Sequence, residues 1–150
     1  MVEPLFKRDI ETPINMAGNF DAVQDVPWAA LFKELDAAYP GSKFILTVRD
    51  EESWLNSAKK HFGETHVGLH EWLYGDGVLK GNEELYLKRF REHYRDVQAY
   101  FEGREQDLLV MDLIGGDKWE KLCPFLEEPI PDKASPTKIK GNTVIAERIK

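Results

Sequence analysis

The sequence predicts an α/β fold in which a three-layer, mostly parallel sheet is flanked by helices. The apolar run 43–49 lacks polar alternation in its middle, as expected for a strand covered on both faces, and the run 108–113 is a second candidate for a buried strand. Segments with helical apolar spacing lie before, between and after these runs. Because strands and helices alternate, the connections should be right-handed crossovers, with ligands bound beyond the carboxyl ends of the strands.

The first 42 residues predict an arm followed by one helix. Residues 1–19 mix prolines, a glycine and charges without a period, which indicates an arm. Residues 20–25 are compatible with a short strand. Pro27 then opens a helix that should end at Pro40-Gly41. Its apolar face consists of Trp28, Leu31, Phe32, Leu35 and Tyr39.

The first buried strand and the helix after it form one unit. The run 43–49 ends in Arg49, and Asp50 can cap a helix whose first turn carries Glu51 and Glu52. The buried stripe of this helix is Trp54, Leu55, Ala58 and Phe62. This unit therefore places an arginine at the carboxyl edge of the sheet.

The remaining chain predicts a loop, a long helix, a strand and a short helix. Residues 63–82 are rich in glycine and indicate a long loop with room for one short helix. A helix over 82–101 follows, and then the strand 108–113, which turns at Gly115-Gly116. The stripe of the long helix is Leu87, Phe90, Tyr94, Val97 and Phe101, and the short helix carries Trp119, Leu122, Phe125 and Leu126. Prolines then end the helical pattern, and 132–150 are interpreted as a tail.

The composition excludes several function classes. Of 150 residues, 42% are hydrophobic, and the net charge of −7 disfavours docking onto nucleic acid or anionic lipid. The single Cys123 excludes an internal disulfide, and no Cys and His residues have zinc-ligand spacing. No apolar signal core follows the amino terminus, and no apolar run has the length of a membrane span. We therefore expect a cytoplasmic protein without a metal site, a nucleic-acid partner or a membrane partner.

Arg49 and two serines form a candidate anion site. Ser57 lies eight residues after Arg49, about two helical turns on, and Ser53 shares its helical face. A guanidinium and one or two hydroxyls converging there would bind a phosphate through paired donors. The alternative is an arginine that is solvated or paired with a carboxylate such as Asp50.

An ordered set of segments resembles bacterial sulfotransferase-family proteins. The set is Phe-Asp-Ala-Val-Gln-Asp-Val-Pro-Trp at 20–28, Tyr-Pro-Gly-Ser-Lys-Phe-Ile-Leu-Thr-Val-Arg-Asp at 39–50 with Trp54, Gly-Asn-Glu-Glu-Leu-Tyr-Leu at 81–87, Asp-Leu-Leu-Val-Met-Asp at 107–112 and Trp-Glu-Lys-Leu-Cys-Pro-Phe-Leu at 119–126. The resemblance covers a domain over 20–131, between an arm at 1–19 and a tail at 132–150. It implies a fold of the P-loop NTPase and sulfotransferase type.

The resemblance also implies a reaction and its donor. The family transfers a sulfuryl group from 3′-phosphoadenosine 5′-phosphosulfate to an acceptor hydroxyl or amine, here a small molecule or a saccharide. Arg49 and Ser57 match, in identity and spacing, the pair that binds the 3′-phosphate of the donor or of adenosine 3′,5′-bisphosphate. Asp25, two residues before Pro27, matches the position of the family's general base, usually a histidine. The alternative for Asp25 is an N-cap of the following helix.

The glycine-rich loop that the family uses for the 5′-phosphosulfate is not expected in this sequence. Only 19 residues precede Phe20, with one glycine and no Lys-Ser/Thr-Gly-Thr-like string, so the fold is interpreted as N-terminally truncated. Gly63 and Gly68 have Walker spacing, but Leu69 and His70 replace the required residues. A sulfotransferase impaired on its own is therefore one hypothesis, and a non-catalytic nucleotide-binding or interaction module is the alternative. A P-loop kinase fragment is a weaker third.

The truncated sheet predicts a partner, and other residues have ordinary explanations. An exposed sheet edge favours a homodimer or a second chain that completes the sheet. His66 and His70 are candidates for a base or for acceptor binding, although surface histidines are the simpler explanation. Trp54 and Cys123 fit a hydrophobic core. The arginines of the long helix, Arg89, Arg91 and Arg95, fit a solvated face.

Overall fold

The computed structural model describes residues 9–135; residues 1–8 and 136–150, which include most of the predicted tail, lie outside the described range. The helices are α1 (Glu11–Ala17), α2 (Phe32–Ala38), α3 (Glu51–His61), α4 (Gly68–Tyr74), α5 (Glu83–Tyr100) and α6 (Trp119–Leu126), the strands are β1 (Phe44–Thr47) and β2 (Leu108–Met111), and a 3₁₀ helix (Trp28–Leu31) precedes α2. Helices precede, separate and follow the two strands as predicted, but three helices in succession connect β1 to β2, and α4 lies in the predicted long loop.

The two strands form a parallel pair. Phe44 lies opposite Leu108 and Thr47 opposite Met111, so the carboxyl ends of both strands meet at one edge. Within the described range the sheet has these two strands. The parallel pairing agrees with the predicted α/β class, while a larger, three-layer sheet remains a prediction.

Strand β1 is covered on one face, which corrects the expectation of burial on both. Leu46 is buried and the partly buried Phe44 and Val48 lie on the same face, whereas Ile45 on the opposite face is 44% exposed. Helix α6 packs on β2, where Met111 is buried, and leaves Ile45 uncovered. An apolar run shows that a strand tolerates burial, but the neighbouring elements decide which face is covered.

Helix α5 joins two hydrophobic clusters. The first cluster has Phe32, Leu46, Val97 and Phe101 as its buried members, and the second has Ala58, Leu79 and Tyr86. Within α5, Tyr86 and Val97 are eleven residues apart, roughly 16 Å along the helix axis, so one rigid element anchors in both clusters. Tyr86, 1% exposed, is absent from the predicted stripe, which began at Leu87.

The predicted N-terminal arm is a helix over Glu11–Ala17, so that prediction is wrong for these residues. Pro13 hides the helical pattern in the sequence, yet proline fits the first turn because the N–H it lacks has no partner there. Two side chains hold this helix: Trp28 Nε1 donates to Pro13 O over 2.9 Å and Tyr39 Oη to Ile14 O over 2.8 Å. These hydrogen bonds and the burial of Pro13 and Ala17 hold α1 against the rest of the described chain.

Two predicted strand segments are also corrected. Residues 20–25 are irregular with bends instead of a strand, and Asp25 has a φ of 62°, in the left-handed region that extended chains do not use. Strand β2 ends at Met111, and Leu113 is 56% exposed. Strand β2 ends there because, in the turn that follows, the Asp112 N–H donates to the Asp117 carboxylate instead of to a neighbouring strand.

Candidate functional site

Arg49 lies at the carboxyl edge of the sheet, as predicted. The last hydrogen bond between the strands runs from Val48 N to Met111 O over 2.8 Å, and Arg49 follows at once. Because β1 and β2 are parallel, Asp112 leaves the sheet at the same edge. The position is the one at which α/β sheets bind ligands.

Asp50 caps the helix that follows Arg49, which confirms the predicted cap. Its backbone is extended, with φ −65° and ψ 147°, and its Oδ1 accepts from Ser53 N over 2.8 Å. The carboxylate thus satisfies one of the free N–H groups in the first turn of α3. Among residues 9–135, Arg49 forms no ion pair, so the alternative pairing with Asp50 is not observed.

The Arg49 guanidinium folds onto the first turn of α3. Nη2 donates to Ser53 O over 2.9 Å and to Ser53 Oγ over 2.6 Å. The Nε–H is buried and has no hydrogen-bond partner within the described part of the chain. A buried donor without an acceptor is costly, and an anionic oxygen would satisfy it. The site therefore combines a fixed guanidinium, an unused donor and a serine hydroxyl.

Ser57 lies one helical turn beyond Ser53 on the same face of α3 and is partly buried. The hydrogen bonds of Arg49 go to Ser53, and none joins Arg49 to Ser57 within the described residues. The structure therefore brings Arg49 and Ser53 together and leaves Ser57 one turn away. The binding of a phosphate by these three side chains stays a prediction.

Helix α5 contributes a group that the sequence analysis missed. The Tyr94 hydroxyl donates to Thr47 O, 3.1 Å away, at the end of β1. Burial raises the pKa of the Tyr94 phenol, while the Arg49 backbone N–H and guanidinium act in the opposite direction, and Asp112 adds to the rise. The spacing of Tyr94 marked it as part of a core stripe, and no sequence signal pairs its hydroxyl with residue 47.

Asp25 is exposed in the turn before the 3₁₀ helix. Its backbone oxygen accepts from Ala29 N over 2.8 Å, but its side chain makes no capping hydrogen bond, and Pro27 occupies the cap position. The alternative that Asp25 is an N-cap is therefore wrong. Its assignment as a general base stays a prediction.

Of the two candidate histidines, His70 is buried and His66 is exposed. His70 is 9% exposed, with its ring edge-on to Phe62 at 4.5 Å and Tyr86 at 5.7 Å, and burial lowers its pKa. His66 is exposed, 3.3 Å from a Glu71 carboxylate oxygen. His70 is therefore a core residue, and neither the surface explanation nor its loop position anticipated this.

Trp54 and Cys123 occupy the core positions predicted for them. The Trp54 ring lies 4.6 Å from that of Phe90, and Cys123 is 5% exposed. No group of histidine, cysteine, aspartate and glutamate side chains within residues 9–135 has a metal-binding arrangement. Over the same residues, no helix combines the length and apolarity needed to cross a membrane.

Comparison with known proteins identifies a matching family model and a similar fungal protein. The sequence model of a family described as "Sulfotransferase domain" matches residues 7–144. A protein of Aspergillus versicolor, named Ava biosynthesis cluster protein M, is 31% identical over 147 residues, which cover 81% of this chain and 55% of that protein. The chain thus spans about half the length of this curated relative.

Proposed function

The chain belongs to the sulfotransferase domain family, and from this premise we propose that it binds 3′-phosphoadenosine 5′-phosphosulfate and acts in sulfuryl transfer to an acceptor hydroxyl or amine. The acceptor in this proposal is a small molecule or a saccharide. The donor supplies the sulfuryl group, and the product nucleotide is adenosine 3′,5′-bisphosphate. The residues of this chain bind the 3′-phosphate side of the nucleotide.

The position and hydrogen bonding of the Arg49 guanidinium are the observation on which this proposal rests. Its guanidinium lies at the carboxyl edge of a parallel sheet, is fixed by Ser53, and keeps a buried Nε–H without a partner among residues 9–135. A phosphate monoester offers several anionic acceptors, and a guanidinium binds them with paired donors. The donor set therefore fits a phosphate.

Each predicted site residue has a distinct role in the proposal. Arg49 neutralises the 3′-phosphate, and Ser57 donates its hydroxyl to the same group. Ser53 orients the guanidinium through its Oγ. Asp25 accepts the proton from the acceptor hydroxyl.

The 5′-phosphosulfate needs further groups, which we place outside residues 9–135. Backbone N–H groups and a lysine of a glycine-rich loop would stabilise charge on the transferring group, usually the largest contribution to such a reaction. Each strand of the described two-stranded sheet has an outer edge where a further strand can pair. On this proposal the described part binds the 3′-phosphate side of the nucleotide, and a glycine-rich loop outside it completes the site for transfer.

The test is calorimetric titration of the full chain with adenosine 3′,5′-bisphosphate. We expect Arg49→Ala to weaken binding roughly 10- to 100-fold, because hydrogen bonds to charged groups contribute about 1.5–3 kcal/mol. Arg95→Ala is the matched control, since this exposed guanidinium pairs with Asp96, and its affinity should equal that of the parent. Equal affinity of the parent and Arg49→Ala would contradict the proposed site.

Incubation with the sulfuryl donor separates the two functional hypotheses. A transfer rate above that of the Arg49→Ala variant supports the enzyme. Nucleotide binding that depends on Arg49, without transfer to any acceptor, supports the non-catalytic alternative.

A further inference from the structure

The turn that carries Arg49 is attached to helix α5 at both of its ends. On its amino-terminal side, the Tyr94 hydroxyl donates to Thr47 O over 3.1 Å. On its carboxyl-terminal side, the Arg91 guanidinium donates to Glu51, with Nε to Oε2 at 2.7 Å and Nη2 to Oε1 at 3.0 Å. Arg49 lies midway between the two attached residues.

Both attachments come from one face of one helix. Arg91 and Tyr94 are three residues apart in α5, which places them on adjacent turns of the same face. Helix α5 is itself fixed, because Tyr86 and Val97 are buried in the two hydrophobic clusters. The turn is thus held against a helix that is anchored in both hydrophobic clusters.

The chemistry of each attachment suits a positioning role. The Tyr94 phenol is neutral and able to donate at physiological pH, since burial raises its pKa. The Arg91–Glu51 pair is bidentate, a geometry that fixes direction as well as distance. Both partners are about half exposed, at 49% and 47%, so the pair adds little stability, and its main effect is orientation.

We propose that Tyr94 and Arg91 are positioning residues that hold Arg49 ready for a phosphate, and that they thereby set the preference of the site for nucleotides with a 3′-phosphate. The inference rests on the proposed function. A strand end attached at one side only would let the guanidinium explore more positions, and binding would then carry the cost of ordering it. A turn held at both sides has already lost that freedom.

The structure offers matched controls for both residues. Tyr94→Phe removes a hydroxyl that donates to a backbone carbonyl and keeps the ring that packs on Phe90. Tyr39→Phe removes the same kind of hydrogen bond, from Tyr39 Oη to Ile14 O over 2.8 Å, on the α1–α2 pair. Arg91→Gln is matched in the same way by Arg95→Gln, whose guanidinium contacts only Asp96 among the described residues.

The experiment measures the affinity of the full chain for adenosine 3′,5′-bisphosphate and for adenosine 5′-monophosphate, which lacks the 3′-phosphate. We expect Tyr94→Phe and Arg91→Gln each to weaken binding of the bisphosphate about 5-fold, the scale of immobilising one long side chain on binding, with unchanged affinity for the monophosphate. The ratio of the two affinities then falls about 5-fold. Tyr39→Phe and Arg95→Gln should leave the ratio at the parent value.

Different outcomes identify different failures. A ratio unchanged by Tyr94→Phe and Arg91→Gln, in a chain whose ratio collapses with Arg49→Ala, overturns the positioning role and leaves the proposed function standing. Equal weakening of both nucleotides also overturns it, because that is the effect of general loosening. A parent chain that binds neither nucleotide, or a ratio unaffected by Arg49→Ala, contradicts the proposed function itself.

Discussion

Arg49 and Ser53 form a contact because a strand end and a helix start are joined by one capping residue. Asp50 satisfies Ser53 N with its carboxylate, which leaves the Ser53 Oγ and backbone oxygen to accept from Arg49 Nη2. The carboxylate nearest in sequence is thus occupied by helix capping and does not neutralise the guanidinium. At the residue scale, the use of Asp50 as a helix cap therefore leaves the positive charge of Arg49 available at the sheet edge.

His70 gives the molecule a pH dependence at the residue scale. Its ring is 9% exposed among Phe62, Tyr74 and Tyr86, and burial holds its pKa below the unfolded value of 6.5. Between the folded and unfolded pKa values the unfolded chain binds more protons, so stability falls as the pH drops below about 6.5. We expect the thermal midpoint to decrease over this range in a pH series of melting curves.

The control for this prediction compares how steeply the thermal midpoint changes with pH, and not the absolute stability of each variant. His70→Gln should flatten the decrease below about pH 6.5, and His93 should account for part of the remaining slope because burial lowers its pKa too. His61→Gln, at an exposed position, should keep the parent slope. An unchanged slope in His70→Gln would show that the histidine titrates as freely in the folded chain as in the unfolded one.

At the element scale, a buried carboxylate links helix α2 to the turn between α5 and β2. Asp36 is 9% exposed and accepts two hydrogen bonds from Arg104, with Nη1 to Oδ2 at 2.7 Å and Nη2 to Oδ1 at 2.9 Å. Tyr100 donates to the same carboxylate over 2.8 Å. The Arg104 hydrogen bond lowers the pKa of Asp36, so the carboxylate is ionised at physiological pH. These contacts fix three elements around the first hydrophobic cluster.

Asp36→Ala tests this link. We expect a loss of about 2 kcal/mol in the free energy of unfolding, below the ~3–5 kcal/mol for a fully buried pair, because Arg104 is 36% exposed and keeps Asp107 as a partner. Urea denaturation measures the change. Asp96→Ala removes the partner of the exposed Arg95 and should cost less than about 0.5 kcal/mol. Equal stability of the two variants would contradict the structural role of Asp36.

At the scale of the whole molecule, the sheet formed by residues 9–135 has two outer edges and a face that these residues leave partly open. Both strands pair only with each other within the described range, and Ile45 is 44% exposed on the face that α6 leaves open. Unpaired N–H and C=O groups at a sheet edge invite a further strand. We propose that a second copy of the chain, or another polypeptide, pairs with an outer edge of the sheet and covers the face on which Ile45 is exposed.

Sedimentation over a range of concentrations tests this proposal. We expect the parent chain to form a dimer, and Ile45→Lys to shift it toward monomer, because a charge on the open face would be buried on association. Leu85→Lys is the control, since Leu85 is similarly exposed, at 43%, but lies in the first turn of α5 and not on a strand, and it should leave the dimer intact. A stable monomer of the parent at every concentration would contradict association with a second copy.

The sequence by itself determined the elements whose signal is local. The 3.6-residue stripe gave α5, the apolar runs gave both strands, and Asp50 was identified as a cap, since each signal lies within a few neighbouring residues. The membership in the sulfotransferase domain family also followed from ordered segments of sequence. Helix α1 was missed because contacts from Trp28 and Tyr39 hold it.

Only the tertiary structure decided which side chains meet at the site. Ser53, and not Ser57, holds the Arg49 guanidinium, and Tyr94, 47 residues beyond Thr47, fixes the end of β1. The spacing of apolar residues in the sequence shows which face of an element is apolar, but it does not show which element packs against that face. Contacts between distant segments depend on how α5 lies against the sheet, and this arrangement exists only in the folded chain.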